Sequence, residues 1–225
     1  MPPGSTRQPD IGHADLGSNP ESPARTWLHA RARLMPNLLS QSPPWIRSVF
    51  GHSWAPMRAL VEQLDCLPPH VWRKLLEWES GYVAICNGKT RYSPGPASIR
   101  QLHVTNVAFV SIEDLALANE GPLHVLGHLI DHHLGCAGRA DGPWLSEGGG
   151  ISHGWQEAGQ RLPDLFALGY AVDPVAQSSV RDYFAQSLAL FCLDRQRLNV
   201  ADPQIEKWLR TTIWNEGGWK DDPDP

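Results

Sequence analysis

Two histidines and a valine pose the chemical question in this chain. His124 and His128 lie four residues apart in Pro122-Leu-His-Val-Leu-Gly-His-Leu-Ile-Asp-His-His-Leu-Gly135. On a helix, residues at i and i+4 stand one above the other on one face. Zinc peptidases hold two of their three protein ligands this way. In those enzymes a glutamate follows the first histidine and acts as general base; here that residue is Val125. The stretch offers a scaffold for a metal and lacks the group that usually moves the proton. Two buried polar histidines satisfied by neighbours are the plainer alternative, but the i, i+4 pair followed by Asp131 favours ligation. A catalytic site needs a third ligand and an open position, and two carboxylates qualify. Asp182 falls in an apolar stretch, Ser179 to Leu193, beside Tyr183 and Phe184. An acid in such company needs a partner, a capping role or a metal, and Ser179 at the N-cap with Asp182 at N3 gives it a simpler use. Glu147 follows His128 after eighteen residues in Trp144-Leu-Ser-Glu-Gly148; its simpler use is as a carboxylate in a Gly-rich surface connection. Residue types alone leave both open.

The motif needs a helix to present it. Pro122 suits a first turn, Asn119 and Gly121 are possible caps, and Gly135 is a natural stop. Leu123, Leu126, Ile130 and Leu134 form a separate apolar stripe that would bury the helix. Residues 179–193 predict a second buried helix. Upstream, Gly81 to Cys86 is β-rich, Asn87-Gly88 signals a turn, 89–101 reads as loop, and 102–112 reads as strand. Earlier still, helical patterns run from Trp27 to about Leu39, over 45–66 and over 69–79, separated by proline pairs. Asp202-Pro203 starts a last helix. The expected class is α+β, a small sheet ahead of a motif helix with a second buried helix against it. Residues 1–24 read as a disordered tail. One domain spans 25–215, with a helical part to residue 67 and a core from 68, and 216–225 reads as a flexible tail.

Composition excludes several classes. The 225 residues carry a net charge of −5 and no basic run, which argues against a nucleic-acid or anionic-membrane binder. No apolar run reaches the roughly 18 residues of a membrane span. No charged segment followed by an apolar one opens the chain, so the expected location is cytoplasmic, with non-classical secretion left open. The four cysteines lie far apart with no CxxC and read as buried free thiols rather than two disulfides.

Two helices together resemble a known family. His124-Val-Leu-Gly-His128-Leu-Ile-Asp131 is similar to the HExGHxxD helix of anthrax-lethal-factor-like zinc metallopeptidases, which include the Pro-Pro endopeptidases. Asp182-Tyr-Phe-Ala-Gln186 resembles their E-[FY]-F-A-E helix. The resemblance covers roughly 68–215 and implies a zincin-like fold. It implies zinc on His124, His128 and Asp182, with Asp131 and Gln186 in supporting positions and Asp131 orienting the histidine face. It makes Tyr170 a loose counterpart of the transition-state tyrosine. It also implies an extended peptide paired with an edge strand around 104–112. The departures are Val125 for the base, Asp182 for a glutamate ligand and Gln186 for an acid. Separately, Trp-Leu-Ser-Glu147-Gly resembles the third-ligand segment of gluzincin aminopeptidases, which keeps Glu147 as the alternative ligand.

Losing the base costs about 10²–10⁴ in rate. The expected protein is therefore a degenerate, weakly active or inactive zinc-peptidase homologue that binds an extended peptide. An active enzyme with a relocated base, Glu147 or Glu120, is the second reading. A metal-free structural or interaction protein is the third.

Overall fold

The structure, a computed structural model, describes residues 23–219. Five helices precede most of the sheet: α1 (Pro23–Arg31), α2 (Leu38–Gln41), α3 (Pro44–Phe50), α4 (Ala55–Leu64) and α5 (Pro69–Glu77). Prolines in the first turns of α3, α4 and α5 set where these helices begin, since a missing N–H costs nothing there. The strands are β1 (Ala32–Leu34), β2 (Tyr82–Cys86), β3 (Arg91–Ser93), β4 (Ala97–Ile99), β5 (Leu102–Val104) and β6 (Val107–Ser111). Then come α6 (Ile112–Leu117), α7 (Gly121–Cys136), α8 (His153–Ala167), α9 (Val180–Leu193), α10 (Arg195–Ala201) and α11 (Pro203–Thr211). The architecture is α+β, and no helix among the described residues is long and apolar enough to cross a membrane.

The main sheet has the order β1-β2-β6-β3. β1, β2 and β6 run parallel, and β3 pairs antiparallel with β6. Strands covered on both faces read as continuous apolar runs rather than alternations, and β2 and β6 do so. Val83, Ile85, Ala108 and Val110 belong to the main core with α7. Ala84, Cys86, Val107 and Phe109 cover the other face together with Ile99 of the β4–β5 hairpin. On α7, Leu123, Leu126, Ile130 and Leu134 are all essentially inaccessible, each worth about 1.5–3 kcal/mol of burial. They hold the helix in place so that the histidine face can border a cavity.

Two glycines of α7 decide what packs on it. A Cβ on Gly127 would stand 2.8 Å from the Ala185 Cα; its absence lets α9 approach α7 closely. Gly135 does not stop the helix, which continues to Cys136 and ends with Ala137 in the left-handed region. A Cβ there would lie 2.2 Å from the Leu145 backbone nitrogen. The glycine is a close-approach site for the 144–147 turn, a demand no helix-stop rule anticipates.

Other expectations shift as well. The helix expected to run to about Leu39 gives way to β1, whose three residues are too few to show an alternation. The expected loop 89–101 holds β3 and β4, short strands beside Pro94-Gly95. Strand β6 is interior, paired on both sides, so the sheet's edges are β1 and β3, and 104–112 is not an edge. Helix α10 carries no signal we read. Of the expected tails, 1–22 and 220–225 lie outside the described residues. Pro23 and Ala24 already belong to α1, and Glu216–Trp219 forms a 3-10 turn whose Trp219 is buried. All four cysteines are free, but Cys66 is exposed rather than buried.

Candidate metal centre

Helix α7 presents His124 and His128 on one face, and α9 brings its first turn against them. Their Nε2 atoms lie 3.0 Å apart. Asp182 Oδ1 stands 3.6 Å from Nε2 of His124 and 3.3 Å from Nε2 of His128. This is the one group among the described residues with ligand atoms placed to hold a metal ion. Zinc bonds to N and O are about 2.0–2.1 Å, and a tetrahedron's edge is roughly 1.63 times its bond, so about 3.3–3.4 Å separates neighbouring ligand atoms. The observed triangle, 3.0, 3.3 and 3.6 Å, straddles that edge. The spacing of the donor set fits a divalent ion.

The protonation states suit the same use, since metal ligands must be deprotonated. Burial, helped by neighbouring His128, pushes the His124 imidazolium toward its neutral form. Asp182 is held well below the usual carboxylate range by its hydrogen bond with His128, then by those from Ser179 and Ser178, against the opposing effect of burial. Its two oxygens have separate duties. Oδ2 accepts from the hydroxyls of Ser178 at 2.7 Å and Ser179 at 2.6 Å. Ser179 Oγ in turn accepts from the Asp182 N–H at 3.0 Å, the capping arrangement read from the sequence. Capping therefore does not compete with ligation: one oxygen closes the helix end and the other faces the histidines.

His124 is oriented from behind. Its Nδ1–H donates to Gln186 Oε1 at 2.9 Å, and Gln186 Nε2 donates to Asp173 Oδ2 at 2.9 Å. The negative charge missing at position 186 is thus supplied one residue further out. Asp173 had no signal in the sequence, because it lies in a loop far from either motif. His128 has no such support; its Nδ1 is buried without a protein partner. Substituting Gln186→Leu should orphan the His124 N–H and weaken metal binding about 10–100-fold, the usual cost of an outer-shell partner. Gln186→Glu combined with Asp173→Asn, which restores a donor opposite the new carboxylate, should retain affinity. A competition titration with a chromophoric chelator checks both.

The cavity at the triad measures about 410 Å³ and is lined by Thr90, Arg91, Tyr92, Pro94, His124, Val125, His128, Trp144, Ser179, Arg181 and Asp182. Tyr92 and Trp144 are additions to the expected residues. Tyr92 stacks near His128 at 6.4 Å between centroids, and Trp144 meets the same ring edge-on at 5.8 Å. His132 Nε2–H donates to the Arg139 carbonyl, leaving Nδ1 to accept from the Tyr92 hydroxyl at 2.8 Å.

Four expected site residues fall elsewhere. Glu147 pairs with Arg181 at 2.7 Å and accepts from the Trp144 N–H at 3.1 Å; the turn that carries it folds against α8, α7 and α9, but its carboxylate goes to Arg181 rather than to the histidines. Glu120 is exposed at the start of α7, and Tyr170 is 54% exposed. Neither lines the cavity. Asp131 makes no bond to His124 or His128. It accepts from Ser146 N at 2.7 Å and Ser146 Oγ at 2.6 Å, so it anchors the turn that carries Trp144. A fully buried carboxylate bonded only by neutral donors is pushed up, to about 7, by its burial. Between an unfolded value of about 4 and this folded one, the folded chain holds a proton the unfolded chain has released. Its stabilising contribution is complete below about pH 4 and is lost as pH rises toward 7. Asp131→Asn keeps an acceptor for Ser146 N–H and should flatten that slope, matching or exceeding wild-type stability at pH 8. Urea unfolding of both proteins at pH 5 and pH 8 measures it.

Comparison with protein-family models, with curated proteins and with solved structures finds no match.

Proposed function

We propose that this chain is a zincin-like, metallopeptidase-like protein of the lethal-factor-like kind. It binds zinc through His124, His128 and Asp182, holds an extended peptide along β3, and has weak or no peptidase turnover. The observation that carries this reading is the 3.0–3.6 Å triangle of two Nε2 atoms and one carboxylate oxygen. The two helices that resemble the family are also the two that pack together here.

When bound, zinc supplies Lewis-acid polarisation of a carbonyl and acidification of water. The chain's own residues supply the rest unevenly. His124, Gln186 and Asp173 fix one imidazole; Ser178 and Ser179 fix the carboxylate; β3, terminal in the sheet and lining the cavity, offers an unpaired edge for an extended backbone, as in strand addition. Val125 stands beside His124, and among the described residues the only carboxylate lining the cavity is Asp182 itself. Glu147 and Glu120 lie outside the cavity, which removes support from a relocated base.

Elemental analysis of the purified protein tests the reading. One zinc per chain, in preference to iron, manganese, cobalt, nickel or copper, is expected. Protein free of stoichiometric metal after zinc reconstitution would favour the structural or interaction role.

A further inference from the structure

Two arginines line the cavity of a chain that is negative overall. Arg91 lies on β3 at the cavity rim. Its guanidinium sits 4.1 Å over the Phe109 ring, on the sheet face away from α7. It donates a long hydrogen bond to the Lys89 carbonyl, 3.4 Å, and no carboxylate pairs with it among the described residues. Arg181 lines the opposite wall, 4.1 Å over Trp144, and shares Glu147. Asp182, the sole carboxylate of the lining, faces the imidazoles.

We infer that the occupant of the β3 edge is an extended peptide with an acidic residue beside Arg91. The inference rests on the metallopeptidase-like reading for the peptide's course along β3, and adds the class of sequence it selects. A strand added to β3 alternates its side chains between the two sheet faces. Those on the α7 face point toward the triad. Those on the other face pass Arg91 at cross-strand distance, where an opposite charge is favoured and a like charge is not. Phe109 holds the guanidinium flat through a cation–π contact, so Arg91 is fixed in place without being neutralised. A glutamate there gains a charge partner; a lysine meets repulsion from Arg91.

The test uses two fluorescein-labelled octapeptides, alternating Ala-Glu and alternating Ala-Gln, titrated by anisotropy against the full chain with zinc content measured on the same samples. Wild type is expected to bind the Glu peptide about fivefold or more tightly than the Gln peptide, with the preference shrinking at high salt. Arg91→Gln should bring the two affinities together while zinc content stays unchanged. Equal affinities in wild type, no binding of either peptide, or a preference that survives Arg91→Gln overturns the inference. Absence of zinc overturns the metal reading separately, because the peptide comparison still judges Arg91 in that sample.

Discussion

Val125→Glu is expected to create chelator-sensitive peptide cleavage where the wild type shows little or none. The argument is one of position. Val125 follows His124 on α7 and lines the triad cavity, so a carboxylate there stands where zinc peptidases keep their proton carrier. General acid–base help of this kind is worth about 10²–10⁴ in rate, and no other cavity residue of this chain supplies it. The site also suits a base: position 125 is almost fully buried, and burial raises a carboxyl's pKa toward neutrality. Burial has a cost too, since a longer side chain in a packed place destabilises by about 1–3 kcal/mol. Val125→Gln, similar in size and unable to take a proton, controls for that. Digestion of a broad peptide library, read by mass spectrometry, should show cleavage for the Glu variant that the Gln variant lacks. A folded, zinc-loaded Glu variant that cuts no better than wild type would mean that the scaffold does not hold substrate as a peptidase does. If the Glu variant loses zinc, Val125→Asp provides a shorter arm for the same measurement.

What could be read from the sequence was whatever is periodic or capped. The α7 stripe Leu123, Leu126, Ile130 and Leu134 and the Ser179 cap of α9 were visible because helix geometry writes them at fixed spacings. So were the two imidazoles. The third member of the triad was legible only as a choice, Asp182 or Glu147, because the two stretches are equally plausible locally. What separates them is Gly127, which admits Ala185 and so brings the first turn of α9 to the histidines, and Arg181, which occupies Glu147. Neither effect has a local signature. Asp131 was misplaced for a similar reason. Its i+3 spacing from His128 puts it near that face, but a carboxylate goes to its nearest good donors, and the turn closed by Gly135 delivers Ser146. β3 went unseen because three residues beside Pro94-Gly95 carry no pattern, and with it went the identity of the sheet edge. Asp173 reaches His124 only through Gln186, a relation two side chains long.

His124→Ala, His128→Ala and Asp182→Asn are each expected to abolish stoichiometric zinc, while Glu147→Ala keeps it. Removing a ligand should exceed the roughly 10–100-fold penalty of removing an outer-shell partner. The asparagine substitution is chosen for its shape. The Ser178 and Ser179 hydroxyls are rotors that donate to a carboxylate oxygen now and can turn to accept from an amide N–H, so the cap on α9 persists. What disappears is the charge, and neutral Oδ1 is a far poorer ligand for a dication. Zinc at a hundred times its dissociation constant should stabilise the wild type by about 2.7 kcal/mol, and the same addition should leave the three ligand variants unmoved in a thermal melt. Glu147→Ala releases a partly exposed ion pair, side chains 41% and 34% accessible, worth at most about 1 kcal/mol, and its zinc-dependent shift should match wild type. The reverse pattern, metal lost with Glu147 and kept without the Asp182 charge, would move the third ligand to the 144–147 turn. That would require the turn to leave Arg181 and Asp131 together, because the same few residues bind both.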